Sequence, residues 1–250
     1  MIRVLEGSQA EDRGDYLVVR SPSNPTYWWG NFLLLGEAPE PGQAGHWVSR
    51  FAREFPKATH VALGIDVTEL GGIDIGELVA ENLRLQRSAV LTAQELVEPP
   101  HPNETAVCRE LSGADDWRRA ADLRAIVNAD EPGGDPEFVR ARVTAERAVT
   151  EAGHGFWLGA FADGELVAQL GLVTDGSGVA RYQNVETHPD WRRRGLAGTL
   201  VWQAGQLGLD ALGASTLVIV ADPQGGAIEV YRSVGFADAE TQVGFERQPG

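Results

Sequence analysis

From residue 105 onward the apolar positions change period in a readable order. Residues 105–111 (TAVCREL) alternate as a short strand. Trp117, Ala120, Leu123 and Val127 then recur every three to four residues, which predicts a helix capped by Asp115. Asp135-Pro136 opens a second helix, with Phe138, Val139, Val143, Ala148 and Val149 on its buried face. Two strands, 156–161 and 166–173, are joined at Ala162-Asp163-Gly164, a hairpin signal, and 179–187 is a third long strand. After Pro189 a helix carries Leu196, Leu200, Ala204, Leu207 and Ala211 along one side. The run 216–220 (TLVIV) is an expected fully buried strand. A short helix over 227–234 stops at Gly235, and 236–246 is expected to return as a final strand pair.

The first hundred residues repeat part of this order. Strands are predicted at 16–19, 31–35, 60–65 and 87–91, with helices at 46–55 and 76–83. A shift of 150 residues lays Pro39-Glu40 on Pro189-Asp190 and Gly45 on Gly195, and Asp66 follows its strand as Asp222 follows the later one. The pattern points to a duplicated unit. Between the halves, Val97-Glu98-Pro99-Pro100-His101-Pro102-Asn103-Glu104 fits neither a helix interior nor a central strand, because three prolines lie within four positions. The expected organisation is therefore a domain over 1–97, an extended linker over 98–104 and a second domain over 105–250.

Charge narrows the partners. Residues 1–104 hold 8 basic and 15 acidic side chains, and residues 105–250 hold 13 and 21, giving a formal net charge of −15. Acidity on both halves argues against nucleic acid as a partner. A small or basic acceptor suits it better, although the charge also serves solubility. The single cysteine, Cys108, excludes an internal disulfide and reads as a small strand residue. Five histidines show no metal-ligand spacing, so no metal site is expected. With no apolar run of membrane-spanning length and no signal-type N-terminus, a cytoplasmic protein without membrane association is expected.

Against that acidity, Arg192-Arg193-Arg194-Gly195-Leu196-Ala197 forms a local basic spot where a strand gives way to a helix. The free N–H groups and positive dipole end of such a helix favour an anion, pyrophosphate for example. A solvated surface patch is the alternative. Tyr27, Trp28 and Trp29, in a Pro/Asn-rich loop, either wall a cleft for a cationic acceptor or pack between the domains or into the local core.

With its surroundings included, this region resembles the GNAT superfamily of N-acetyltransferases. The family's Arg/Gln-x-x-Gly-x-Gly/Ala motif stands as Arg192-x-x-Gly195-x-Ala197. Its Asn-x-x-Ala-x-x-x-Tyr motif, followed by Gly-Phe, stands as Gln224-x-x-Ala227-x-x-x-Tyr231 with Gly235-Phe236, a glutamine replacing the asparagine. The resemblance covers 105–247. It implies a mixed, mostly antiparallel α/β (α+β) sheet flanked by helices, duplicated in two domains, and an acetyl-CoA-dependent N-acetyltransferase that acts by direct transfer.

Residue roles follow from the resemblance. Backbone groups of Val185 and Thr187 would bind the pantetheine arm. The N–H groups of Arg193, Arg194, Gly195, Leu196, Ala197 and Gly198 would cradle the pyrophosphate, with Arg192 and its neighbours adding charge. Gln224 would contact the pantetheine or diphosphate. Tyr231 would be general acid for the thiolate, and Glu186 is the candidate base, although strand alternation turns it away from Val185 and Thr187. His188 is an expected turn residue. The first half has Gly45-His46-Trp47 where the motif would stand and Ala80 near the place of Tyr231, so it resembles a degenerate copy. The acceptor is a small-molecule or peptide amine, and a homo-oligomer is compatible with the sequence. The alternatives are another acyl-CoA donor, or a non-catalytic CoA-binding sensor or interaction protein.

Overall fold

The computed structural model describes residues 2–67, 75–129 and 135–248. By contacts the chain forms two compact units, and neither is a continuous stretch. Unit 1 comprises residues 1–6 and 91–239, and unit 2 comprises residues 7–90 and 240–250. The linear division expected at 98–104 thus differs at three points. The first six residues join the later half, the last eleven join the earlier half, and the changeover falls at Val90/Leu91. The physical reason lies in two long strands, β5 (Arg84–Ala93) and β11 (Ala237–Arg247), each of which leaves one unit and ends in the other.

Unit 1 is a five-strand sheet in the order β10-β9-β8-β7-β6, built from β6 (Val107–Glu110), β7 (Gly155–Ala162), β8 (Glu165–Thr174), β9 (Val179–Thr187) and β10 (Thr216–Ala221). Of the four pairings among these five strands, β9–β10 is parallel and the other three are antiparallel. The β7–β8 turn uses Asp163 (φ 51°) and Gly164 (φ 84°), the two left-handed residues that let a tight hairpin follow the strand twist. Helices α4 (Gly113–Val127) and α5 (Pro136–Glu151) cover one face through Trp117, Ala120, Leu123, Val139 and Val143, packed with Trp157 and Val173. Helix α6 (Leu196–Ala211) covers the other, with Gly208 against Leu172. The short helix α7 (Ala227–Ser233) follows β10.

Asp135 caps α5 as expected, its Oδ1 accepting from the N–H groups of Glu137 (3.0 Å) and Phe138 (2.9 Å). Helix α4 is capped three residues before the expected position. Ser112 is its N-cap, and Asp116 reaches back to accept from the Ser112 N–H at 2.8 Å. Leu207, expected on the inner face of α6, is exposed, because small residues at 198, 204, 205 and 208 carry the close packing instead.

Unit 2 pairs β1 (Gln9–Asp12), β2 (Tyr16–Arg20), β3 (Phe32–Leu35), β4 (Val61–Ile65) and β11 in that order, with α2 (Ala44–Glu54) and α3 (Ile75–Ala80). Its core gathers Tyr16, Leu33, Leu35, Phe51, Leu63 and Phe245. The expected closing strand pair is one long strand, β11. It lacks an internal turn, and its exposed first part contrasts with the buried Val243–Glu246. The aromatic loop packs within this unit. Trp29 Nε1 donates to Glu246 Oε2 at 2.9 Å, its ring lies against Gly244 and Phe32, and Trp28 stacks on the buried His60. Among the described residues no helix is long and apolar enough to cross a membrane.

Candidate active site

Strand β9 is the centre of the site. Its parallel ladder with β10 pairs Val179 with Thr216, Ala180 with Leu217 and Arg181 with Val218, and extends no further. Beyond it β9 runs on to Thr187 and β10 to Ala221, so the two strands open toward their C-terminal ends. Open strand edges present unpaired N–H and C=O groups that an extended ligand can complete. Val185 and Thr187, half-buried, lie in this opened stretch.

A β-bulge accompanies the opening. Across β8–β9, Gln183 faces Gly171 and Glu186 faces Gln169, so β9 has one residue more than its partner there. Asn184 absorbs the kink at φ 47°, a left-handed conformation that asparagine tolerates better than most residues. The extra residue sends Gln183 and Glu186 to the same side, both buried.

Past His188, whose Nδ1 accepts from the Asp190 N–H, a single 3-10 turn at Pro189–Trp191 leads into the arginine run. Arg193 (φ 60°) and Gly195 (φ 76°) are both left-handed and flank Arg194. Among the described residues none of the backbone N–H groups from Arg193 to Gly198 donates to another protein group, while Thr199 N–H already closes the first helical bond to Gly195 O. Consecutive free amides at a 16-residue helix form a concave donor set for an anion. The arginines divide their tasks. Arg192 Nε reaches Thr187 O at 3.4 Å, and Arg194 lies over the Trp191 ring and donates to Asp190 O at 2.9 Å. The exposed Arg193 guanidinium has no partner among the described residues.

Tyr231 projects from α7 and is buried, which pushes its phenol up to about 12. Its hydroxyl makes no hydrogen bond among the described residues, whereas the other buried tyrosine of this unit, Tyr182, donates to Val201 O at 2.7 Å. Gln224 is exposed in the β10–α7 turn, its N–H donating to Asp222 Oδ1.

Glu186 occupies a different neighbourhood. Its Oε1 accepts from Arg124 Nε at 2.9 Å and its Oε2 from Gln169 Nε2 at 2.6 Å. Arg124 also donates to Glu146 (2.7 Å), which accepts from Arg142 (3.2 Å) and Asn184 Nδ2 (2.6 Å), and Arg142 pairs with Glu6 at 2.9 Å. Glu186 therefore ends a buried chain of alternating charges running beneath α4 and α5. Burial raises the Glu6 carboxyl, but the guanidiniums of Arg3 and Arg142 outweigh it and hold the group at about 2. Sequence reading missed this chain, although Arg124 on the apolar stripe of α4 was a usable signal. Cys108 is half-buried, and burial pushes its thiol up.

Unit 2 contains the corresponding parallel pair and helix start in another state. Leu33, Leu34 and Leu35 pair with Leu63, Gly64 and Ile65, and Asp66 N–H adds a bond to Leu35 O at 2.8 Å. Just before α2, the Gly42 N–H donates to both carboxylate oxygens of Glu77 at 2.6 Å. Glu81 Oε1 lies 3.2 Å from where a Cβ on Gly45 would stand.

An opened parallel pair that leads to a helix start with free amides defines an α/β domain suited to a long ligand with an anionic end. Residues 120–236 match the acetyltransferase (GNAT) family model. The GNAT family, whose members are acyl-CoA-dependent acetyltransferases, is thus matched by this segment, which lies within unit 1. No curated protein matches the chain. Several solved structures share its fold along nearly the whole length. A functionally unknown conserved protein from Staphylococcus epidermidis aligns with TM-score 0.72 and 10% identity, over 97% of this chain and 95% of that one. A GCN5-related N-acetyltransferase from Sphaerobacter thermophilus gives 0.64 and 18%, over 95% and 82%. A tandem GNAT protein from the clavulanic acid biosynthesis pathway gives 0.58 and 11%, over 94% and 78%.

Proposed function

We propose that unit 1 is an acetyl-CoA-dependent N-acetyltransferase and that unit 2 is a degenerate GNAT copy without a donor site. The observation that carries this reading is the opened β9–β10 pair running into the free amides of residues 193–198. The pantetheine arm lies along Val185 and Thr187, completing the strand edge. The pyrophosphate takes the amides of Arg193 to Gly198, with Arg192, Arg193 and Arg194 supplying charge. Gln224, across the mouth on the β10–α7 turn, contacts the pantetheine or diphosphate.

In the transfer the neutral amine attacks the thioester carbonyl carbon, and the carbonyl oxygen becomes an oxyanion facing backbone donors of the bulged strand. The intermediate then collapses: the carbonyl re-forms, its C–S bond breaks, the thiolate takes the proton of Tyr231, and the proton released by the attacking nitrogen returns through solvent to the phenolate. A phenol held near 12 keeps its proton across the working pH range, and its hydroxyl has no competing partner.

For proton removal from the acceptor ammonium, the geometry favours solvent over Glu186. Both Glu186 oxygens are engaged by Arg124 and Gln169, so this carboxylate anchors the bulge beneath α4. In unit 2 the carboxylates of Glu77 and Glu81 stand at the start of α2 where an anionic ligand would lie, which supports its reading as a copy without a donor site.

The test is thiol release from acetyl-CoA with a panel of small amines and peptide N-termini. Amine-dependent release supports the transferase. Tight CoA binding without release by any amine favours a sensor, and faster release from a longer acyl-CoA assigns a different donor.

A further inference from the structure

The segment expected as a spacer is fastened along α6. Pro99, buried, lies 3.3 Å from where a Cβ on Gly198 would stand, the Leu96 side chain fills the space over Gly205, and the His101 carbonyl approaches Gly195 too closely for any Cβ there. As the chain advances through 96, 99 and 101 it meets 205, 198 and 195, so it runs antiparallel to the helix along a stripe of glycines that admits it. Upstream, Val97 N–H donates to Val234 O at 3.1 Å, at the end of the helix carrying Tyr231. Downstream, Asn103 makes the closing contacts. Its N–H donates to Thr199 Oγ1 and its Nδ2 to Arg194 O, each at 2.8 Å, while its Oδ1 accepts from the N–H groups of Thr105 and Ala106.

We propose that residues 96–103 are a strap that shapes the anion-binding loop, and that Asn103 is its positioning residue. The inference rests on the donor site proposed above. A peptide group is planar and trans, so its C=O and the next N–H point in opposite directions. Asn103 draws the Arg194 carbonyl toward the strap, and this aims the Gly195 N–H away from it, into the mouth of the loop. The same grip holds a conformation that has a cost of its own, because Arg193 is a left-handed non-glycine residue. The strap therefore fixes the loop amides before a ligand arrives, which lowers the ordering cost of binding.

Asn103→Ala removes both functions of the side chain. Asn103→Asp keeps the acceptor that organises the Thr105–Ala106 turn, loses the donor to Arg194 and adds a negative charge beside the loop, whereas Thr199→Val probes the strap with no change of charge. Both Asn103 variants are expected to weaken CoA binding about tenfold by calorimetry and to raise the acetyl-CoA KM similarly, with kcat within about twofold. Thr199→Val should show the same split, and Thr199→Ser should restore wild-type binding. The exposed Pro100→Ala is the control. Loop looseness is read separately, as the rate of tryptic cleavage at Arg192–Arg194, which should rise several-fold in Asn103→Ala and Thr199→Val. Wild type that binds CoA beside Asn103 variants that bind equally tightly overturns the strap and leaves the transferase standing. Wild type that does not bind CoA overturns the transferase reading, and unchanged tryptic cleavage then overturns the strap as well. Equal losses of kcat and affinity in Asn103→Asp, with a lowered melting temperature, assign Asn103 to general stability and also overturn it.

Discussion

Each unit contains a parallel strand pair followed by a helix, and the two pairs differ in one respect that decides their chemistry. In unit 2, β3 and β4 stay paired to their ends, and an added bond from Asp66 N–H to Leu35 O extends the closure. In unit 1 the β9–β10 ladder stops at Arg181/Val218 and leaves the last six residues of β9 without a β10 partner. The helix starts differ in the same sense. Gly42 is already bonded to the Glu77 carboxylate, whereas the amides of 193–198 bond to nothing among the described residues. A backbone group left unpaired is costly unless water or a ligand satisfies it. The same topology is therefore self-satisfied in one unit and left unpaired in the other, as the proposed donor site requires.

The largest test of that contrast is Tyr231→Phe, which should lower kcat by at least ~10²-fold with CoA affinity unchanged, the usual size of a lost general acid. Substituting Ala80, its counterpart in unit 2, should leave turnover unaffected. Equal turnover in Tyr231→Phe would remove the acid from the account. Glu186→Gln comes next. As an anchor in a buried ion chain it should cost about 3 kcal/mol in unfolding free energy while the pH–rate profile keeps its shape. A lost acidic limb at unchanged stability would instead make Glu186 the base.

The acid stability of unit 1 is a third handle. Glu6 is held at about 2, below its unfolded value of 4.5, so it contributes stability above pH 4.5 that is lost as pH falls toward 2. Roughly 3 kcal/mol is at stake, and Glu6→Gln should flatten that limb of the unfolding curve. The smallest test compares two glycines. Gly195→Ala puts a Cβ on a left-handed residue against the His101 carbonyl and should cost about 2 kcal/mol along with CoA affinity. Gly45→Ala lies within α2, meets only the flexible Glu81 carboxylate, and should gain up to ~1 kcal/mol.

Local signals made most of this fold legible. Asp135-Pro136, Asp163-Gly164 and the alternation over 179–187 each act through neighbouring residues, and each element formed where expected. The strand β1 was missed because all four of its residues are exposed and carry no apolar period. The exchange of chain ends was invisible for a related reason: β5 and β11 read as ordinary strands, and only pairing assigns their two ends to different units. In the candidate site, the arginine loop and Tyr231 announced themselves by motif. The bulge at Asn184, the ion chain through Arg124 and the grip of Asn103 did not, because they depend on strand register or on partners such as Glu146, Glu186 and Arg194, which lie 38, 62 and 91 residues away respectively. The aromatic loop followed the plainer of its two readings, with Trp29 bonded to Glu246.

The measurement that bears most directly on the central claim is a calorimetric titration of the full chain with CoA. One site per chain is predicted, lost in Gly195→Ala and retained in Gly45→Ala. Two sites per chain, or a single site that survives Gly195→Ala and disappears on substitution at Gly45, would contradict the assignment of an open donor site to unit 1 and a closed one to unit 2.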